Sequence, residues 1–325
     1  MKAIQLDGPG APEALHVRDL PMPEPPAGWV RIRIEAFGIN RSELFLRLGM
    51  ADRDATFPRV PGIECAGTID AAPDGSLRVG QKVVAMMGGM GRNYDGGYAQ
   101  YTVVPLANVI PIETELPWEV VGAIPEMLQT AYGSLTTGLD LRAGQTLLIR
   151  GGTSSVGLAA AALARDIGAT VLATTRRAER LSSLAERGVD HPILDDGHIA
   201  DAVRELVPGG VDATLELVGT TTLKDSLLAT RIHGTVCSTG MVSNEWIIPD
   251  FYPIGYIPSG VRLTGYGGEA NDLPPSVLQH YLDQIAAGRF SVAIHRVYAM
   301  DEIREAHATM EANEAVGKLV VRVHH

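Results

Sequence analysis

Residues 147–158 decide the fold: Leu147-Leu148-Ile149-Arg150-Gly151-Gly152-Thr153-Ser154-Ser155-Val156-Gly157-Leu158 runs from a short apolar strand, through small residues, into an apolar helix. Small residues let a backbone approach a pyrophosphate, and the helix start presents unpaired N–H groups carrying partial positive charge. Gly152 and Gly157 hold the outer positions of a G-x-G-x-x-G pattern, with Ser154 at the middle one. Gly152, Thr153, Ser154, Ser155, Val156 and Gly157 are therefore the candidate dinucleotide loop, with the serine hydroxyls as further phosphate donors. An ordinary strand-to-helix turn is the competing reading.

Outward from this loop, short apolar strands alternate with helical patterns: Thr146–Ile149, Val156–Ile167, Thr170–Thr175, Ala178–Arg187, His191–Leu194, Ile199–Val207, Ala213–Leu217, Leu223–Thr230 and Gly234–Ser238. Repeated strand-helix-strand units predict an α/β fold, a doubly wound parallel sheet with helices on both faces. A carboxylate at the end of the second strand would bind the ribose diol of NAD. Here Thr175 is followed by Arg176-Arg177, with Arg180 one turn on. Guanidinium pairs bidentately with phosphate, so the pattern predicts NADPH. A solvated basic helix start is the bland alternative, and the helix dipole disfavours it.

The preceding hundred or so residues are rich in Pro, Gly and short β patterns, clearest at Val30-Arg31-Ile32-Arg33-Ile34, where apolar residues share one face. The tail offers a helix, Asp301–Asn313, and a strand, Lys318–Val323, suited to packing back on the first domain. The expected division is 1–118 for a β-rich domain, 119–268 for the dinucleotide domain and 269–325 for the returning segment.

Composition narrows the function. The net charge of −11 gives no basic stripe, which makes nucleic acid a poor partner. Two cysteines are too few for a disulfide framework or a four-cysteine zinc lobe, and they fit a reducing cytoplasm. Met1-Lys2-Ala3-Ile4-Gln5 enters a strand pattern at once, and the longest apolar run, Val156 to Ala164, is too short to span a bilayer. The 36 glycines among 325 residues exceed the background of roughly 7% and suggest tight turns and close backbone approaches.

Several segments, taken in order, carry a likeness: Lys2-Ala3-Ile4, Phe37-Gly38-Ile39-Asn40-Arg41-Ser42-Glu43, Pro61-Gly62-Ile63-Glu64-Cys65-Ala66-Gly67, Gly97-Tyr98-Ala99-Gln100-Tyr101, Gln129-Thr130-Ala131-Tyr132 and Gly317-Lys318-Leu319. Together they resemble the medium-chain dehydrogenase/reductase superfamily, and most of all its quinone oxidoreductase (zeta-crystallin-like) branch. The resemblance implies a GroES-like catalytic domain, built from both termini, clasping a Rossmann domain with the active site in the cleft. It also implies a homodimer joined through Rossmann edge strands, with Val261–Thr264 a candidate edge.

Zinc members of that superfamily place a Cys where this chain has Asn40, a His where it has Ile63, and commonly a Cys or acid where it has Glu126. Isoleucine offers no donor atom, so no catalytic metal is expected, and Glu64 and Glu126 read as hydrogen-bonded structural acids. The resemblance implies Asn40 beside the nicotinamide, Phe45 packed nearby (plain core packing is the alternative), Thr130 near the ring, Val218-Gly219 and Gly240-Met241 framing it, and Lys318 among the cofactor contacts. The tyrosine that trans-2-enoyl reductases carry is absent from Leu48-Gly49-Met50-Ala51. Tyr94, in the glycine-rich loop 88–97, is a candidate substrate contact or acid; a loop aromatic is the plainer reading. The histidines show no paired spacing.

The expected function is zinc-independent, NADPH-dependent hydride transfer to a quinone or an α,β-unsaturated carbonyl. The rivals are an enoyl or polyene reductase tailoring a secondary metabolite, and an NADPH-binding protein without significant turnover.

Overall fold

The computed structural model describes residues 1–50 and 56–325. Ala51, the last residue of the stretch compared with enoyl reductases, lies outside the described residues.

In chain order, β1 (Lys2–Leu6) and β2 (Leu15–Asp19) form an antiparallel pair. Then come β3 (Trp29–Ile39), α1 (Arg41–Arg47), β4 (Glu64–Ala71), β5 (Lys82–Met86), β6 (Tyr101–Pro105), β7 (Val109–Pro111), α2 (Trp118–Val121) and α3 (Pro125–Gly133). The central stretch comprises β8 (Thr146–Arg150), α4 (Ser155–Ile167), β9 (Thr170–Thr175), α5 (Leu181–Glu186), β10 (His191–Leu194), α6 (Ala200–Leu206), β11 (Val211–Glu216), α7 (Thr220–Ala229), β12 (Thr230–Ser238), α8 (Pro253–Tyr256) and β13 (Arg262–Gly265). The chain finishes with α9 (Pro275–Ala286), β14 (Ile294–Tyr298), α10 (Ile303–Glu311) and β15 (Lys318–Arg322).

Two compact units result: Met1–Gln129 with Glu269–His325, and Thr130–Gly268. Among the described residues the sheet of the first runs β14-β15-β3-β4-β5-β7, with β6 also paired to β3. Alternation in β3 puts Val30, Ile32 and Ile34 into a core shared with Leu319 and Val321 of the returning strand. The last strand thus completes the sheet that the first hundred residues begin, β15 lying antiparallel to β3 with Leu319 opposite Ile39.

The sheet of the second unit runs β10-β9-β8-β11-β12-β13, all parallel. Its order reverses between β8 and β11, the point at which open α/β sheets bind ligands. No helix among the described residues is long and apolar enough to cross a membrane.

Three sequence expectations need correction. The first domain change, placed after Trp118, falls after Gln129, because α2 packs on the first sheet, where Ala123 joins Ala36 and Val320 over Trp118. The helix expected over 178–187 is a 3-10 turn, Ala178–Arg180, followed by the shorter α5. β12 begins at Thr230 instead of Gly234, its hydroxyl bonded to Thr214 on β11.

Candidate active site

In the first unit, four distant positions converge. Asn40 follows β3, Glu64 opens β4, Glu126 sits in the first turn of α3 and Lys318 opens β15. Lys318 Nζ lies 2.7 Å from Glu64 Oε1 and 3.3 Å from Glu126 Oε2, and it donates to Asn40 Oδ1 at 2.5 Å. An ammonium can only donate, so the Asn40 amide must turn its oxygen to Lys318 and its Nδ2 to Glu64 Oε1, 2.9 Å away. Glu64 Oε2 accepts from the Glu126 N–H at 2.8 Å. The cluster needs Gly38 beneath it, since a Cβ there would stand 2.2 Å from Glu64 Oε1.

Glu43, in the first turn of α1, accepts from the backbone N–H groups of Asn40 at 2.7 Å and Ile63 at 2.9 Å. Burial pushes its carboxyl up to about 7, against the pull of those donors. Burial alone would weaken the Lys318 ammonium; the surrounding carboxylates of Glu64 and Glu126 outweigh it and hold the proton more firmly than usual. Among the described residues no His, Cys, Asp and Glu side chains converge in a group suited to a metal; these carboxylates ring a lysine.

The structure therefore brings Asn40, Glu64, Glu126 and Lys318 together and seals Lys318 among acids. Phe45 is buried on α1. The Tyr94 hydroxyl accepts from Asn108 Nδ2 at 2.7 Å, and its ring lies edge-on to Trp29 with centroids 5.0 Å apart. Burial pushes the Tyr94 phenol up, so it stays protonated.

In the second unit the small-residue loop joins β8 to α4. Gly151 turns the chain with φ +89°. A Cβ on Gly152 would meet the Ala173 Cβ at 2.7 Å, and one on Gly157 would meet the Gly151 carbonyl at 2.7 Å, so both outer glycines of the pattern are sterically required. Ser154 is extended, with φ −71° and ψ 161°, and that explains why the middle position needs no glycine. Its hydroxyl caps α4, accepting from the Gly157 N–H at 3.1 Å and donating to the Gly151 carbonyl at 2.9 Å. The proton read from sequence as a phosphate donor is thus directed back into the loop. Thr153, Ser155 and Val156 occupy the remaining loop and first-turn positions, half-buried.

Thr175 ends β9 and is buried, whereas Arg176 and Arg177 are exposed and Arg180 is half-buried. The Arg180 guanidinium is weakened by burial and then by the neighbouring Arg177 and Arg176 charges, opposed by Glu179. Three cations therefore crowd the tip of β9. At the tip of β11 the N–H groups of Val218 and Gly219 donate to Glu216 Oε1 at 2.7 and 3.0 Å. Gly219 takes φ +113°, and a Cβ on Gly240 would meet the Leu217 carbonyl at 2.5 Å. Met241 helps line an open groove with Ser238, Trp246 and Phe251. Thr130, in the last turns of α3, accepts from Ser134 Oγ at 2.7 Å through its carbonyl.

Three charged residues of these sites, Glu43, Glu216 and Arg150, escaped the sequence reading. The available signal for Arg150 was a charge standing after the apolar run Leu147-Leu148-Ile149 of its strand.

This architecture matches two family models, the alcohol dehydrogenase GroES-like domain over residues 26–114 and the zinc-binding dehydrogenase over residues 155–281. The chain belongs to the medium-chain dehydrogenase/reductase superfamily. It sits within that superfamily's quinone oxidoreductase (zeta-crystallin-like) branch: a probable quinone oxidoreductase of Schizosaccharomyces pombe is 26% identical, the match covering 98% of this chain and 96% of the relative. A crystal structure described as an NAD-dependent alcohol dehydrogenase superposes with TM-score 0.89 at 26% identity, covering 100% of both chains. A mycobacterial protein complexed with NADPH superposes with TM-score 0.86 at 28% identity, covering 99% of this chain and 100% of its own. This superfamily member is thus similar in fold to proteins whose descriptions name different nicotinamide cofactors, so the choice between them must come from local residues.

Proposed function

We propose that the protein is an NADPH-dependent, zinc-independent reductase acting on a quinone or an α,β-unsaturated carbonyl. The observation that supports this most is the cationic tip of β9, where Arg176 and Arg177 are exposed and Arg180 stands beside them. A carboxylate there would repel a 2′-phosphate; guanidinium pairs with it. The loop at Gly152 and Gly157 fits a pyrophosphate on the α4 N-terminus, because the backbone there is bare of side chains. The mycobacterial relative complexed with NADPH and the quinone oxidoreductase of Schizosaccharomyces pombe support the same reading.

When bound, the nicotinamide supplies a hydride. The chain's own residues bind and orient: Arg176, aided by Arg177 or Arg180, takes the 2′-phosphate, and the backbone at Val218, Gly219, Gly240 and Met241 frames the ring. Asn40, Thr130, Phe45 and Tyr94 are assigned to ring and substrate, and Lys318 to holding the Asn40 amide. Conjugated acceptors spread the developing negative charge over their own π system, so positioning and exclusion of water suffice. Ile63 supplies no metal-ligating atom, and its buried N–H is bonded to Glu43. A second copy is proposed to pair at β13, which lies at the edge of the parallel sheet.

The test is NADPH oxidation with a panel of quinones and conjugated carbonyls, with and without a strong chelator. Turnover that survives the chelator is expected. No turnover with any acceptor, or one tightly held zinc per chain whose removal abolishes activity, would overturn the proposal.

A further inference from the structure

The residue before the dinucleotide loop is a buried cation. Arg150 ends the apolar strand β8 and has 0% exposure. Its fork donates bidentately to Asp195, Nε to Oδ2 at 2.6 Å and Nη2 to Oδ1 at 2.8 Å, and Nη1 donates to Asp225 Oδ2 at 2.7 Å. A third carboxylate is near: Nη1 reaches Ser226 Oγ at 3.4 Å, and that hydroxyl donates to Glu216 Oε2 at 2.5 Å.

Two of the acids are tied to segments that the proposed cofactor site uses, whereas Asp225 accepts from the Ile199 and Ala200 N–H groups at the start of α6. Asp195 accepts from the Thr174 hydroxyl, and the Gly151 N–H donates to that same hydroxyl at 3.1 Å. The Asp195 N–H donates to the Thr175 carbonyl at 2.8 Å, one residue before Arg176. Glu216 holds the Val218 and Gly219 N–H groups. Three acidic residues therefore lie under the carboxyl ends of the strands, the face that must accept an anion, with one guanidinium among them.

Buried ion pairs of this kind contribute little net stability compared with apolar packing. Their placement beneath a phosphate-binding loop calls for another reason. We infer that Arg150 is a specificity-positioning residue, which neutralises Asp195 and Asp225 beneath the anion site and so sets how strongly the protein favours the dinucleotide carrying the extra phosphate. The inference rests on the NADPH reading for its direction, because NADPH carries about two more negative charges than NADH.

The test measures dissociation constants for NADPH and NADH, at fixed low salt, for wild type, R150M, D195N and R150M/D195N, with circular dichroism to confirm folding. R150M leaves acids uncompensated and should lower the NADPH-over-NADH affinity ratio about tenfold. D195N removes one negative charge and should raise the ratio about threefold. In R150M/D195N the pair is neutral again and the ratio should return to within about twofold of wild type.

An unchanged ratio in folded R150M, including equal loss of affinity for both cofactors, would reduce Arg150 to a structural residue and overturn the inference. Should R150M fail to fold, an unchanged ratio in D195N overturns it equally. The change in ratio carries the inference; equal wild-type affinities would instead sink the NADPH reading and leave this comparison intact.

Discussion

Lys318 in the first unit and Arg150 in the second are both sealed from solvent, each between two carboxylates, yet they hold those carboxylates differently. The flat guanidinium of Arg150 meets Asp195 through two parallel hydrogen bonds, and Asp195 is held below its ordinary value: burial would raise it, but Arg150 outweighs burial. The ammonium of Lys318 shares its protons among Glu64, Glu126 and the Asn40 oxygen, and among the described residues the nearby Glu43 forms no ion pair of its own. A fork fixes charge; a point donor divides it. Asp195 should therefore stay ionised through neutrality, whereas the first cluster contains a carboxyl, Glu43, that titrates there.

Breaking the first cluster should give the largest effect. Lys318→Met leaves Glu64, which has 0% exposure, without its cation, and removing one partner of a buried pair costs about 3–5 kcal/mol. Urea unfolding at pH 7 checks this. A loss under about 1 kcal/mol would show that the first cluster does not depend on its lysine, and the contrast with Arg150 would collapse.

Next in size is a pH effect confined to the first unit. Glu43 rises from 4.5 in the unfolded chain to about 7 in the folded one, chiefly through burial. The folded state therefore binds the proton more tightly. Its contribution to stability is complete below about pH 4.5 and is lost as pH rises through 7, a change of about 3 kcal/mol. Unfolding free energies measured from pH 4.5 to 8 should fall accordingly. Glu43→Gln should carry a fixed cost, from placing an amide against the Asn40 and Ile63 N–H groups, and should flatten that slope. A slope that persists in the variant assigns the titration to another group.

What the sequence revealed and what it hid separate along physical lines. Local periodicity placed β9 at Thr170–Thr175 and β10 at His191–Leu194, both as observed, because apolar runs bounded by turns record their own geometry. The outer glycines of the small-residue loop between β8 and α4 were legible as well, because each lies where a Cβ would clash. Ser154 reads differently in the structure, since its hydroxyl donates to the Gly151 carbonyl and that bond competes with any outward donation. Lys318 was recognised within a motif, but its place could not be read: its amide partner, Asn40, lies 278 residues away in the chain. Arg150 stood inside the quoted fingerprint unread, since Asp195 and Asp225 reach it from β10's end and α7 only once the sheet order is known. Long-range pairing of buried charge leaves no periodic trace, and the sole hint is a charge where an apolar residue belongs.

The tip of β9 is proposed to select the phosphorylated dinucleotide, and cofactor affinity decides the matter. A charge-assisted hydrogen bond contributes roughly 1.5–3 kcal/mol, so the wild-type protein should bind NADPH about ten- to a hundredfold more tightly than NADH. Arg176→Asp deletes the donor and repels the phosphate. Dissociation constants for both cofactors, measured at the same low salt for wild type and variant, should show that preference in the wild type and its loss in the variant. Equal wild-type affinities, or a variant that keeps the full NADPH preference, would place the 2′-phosphate away from Arg176.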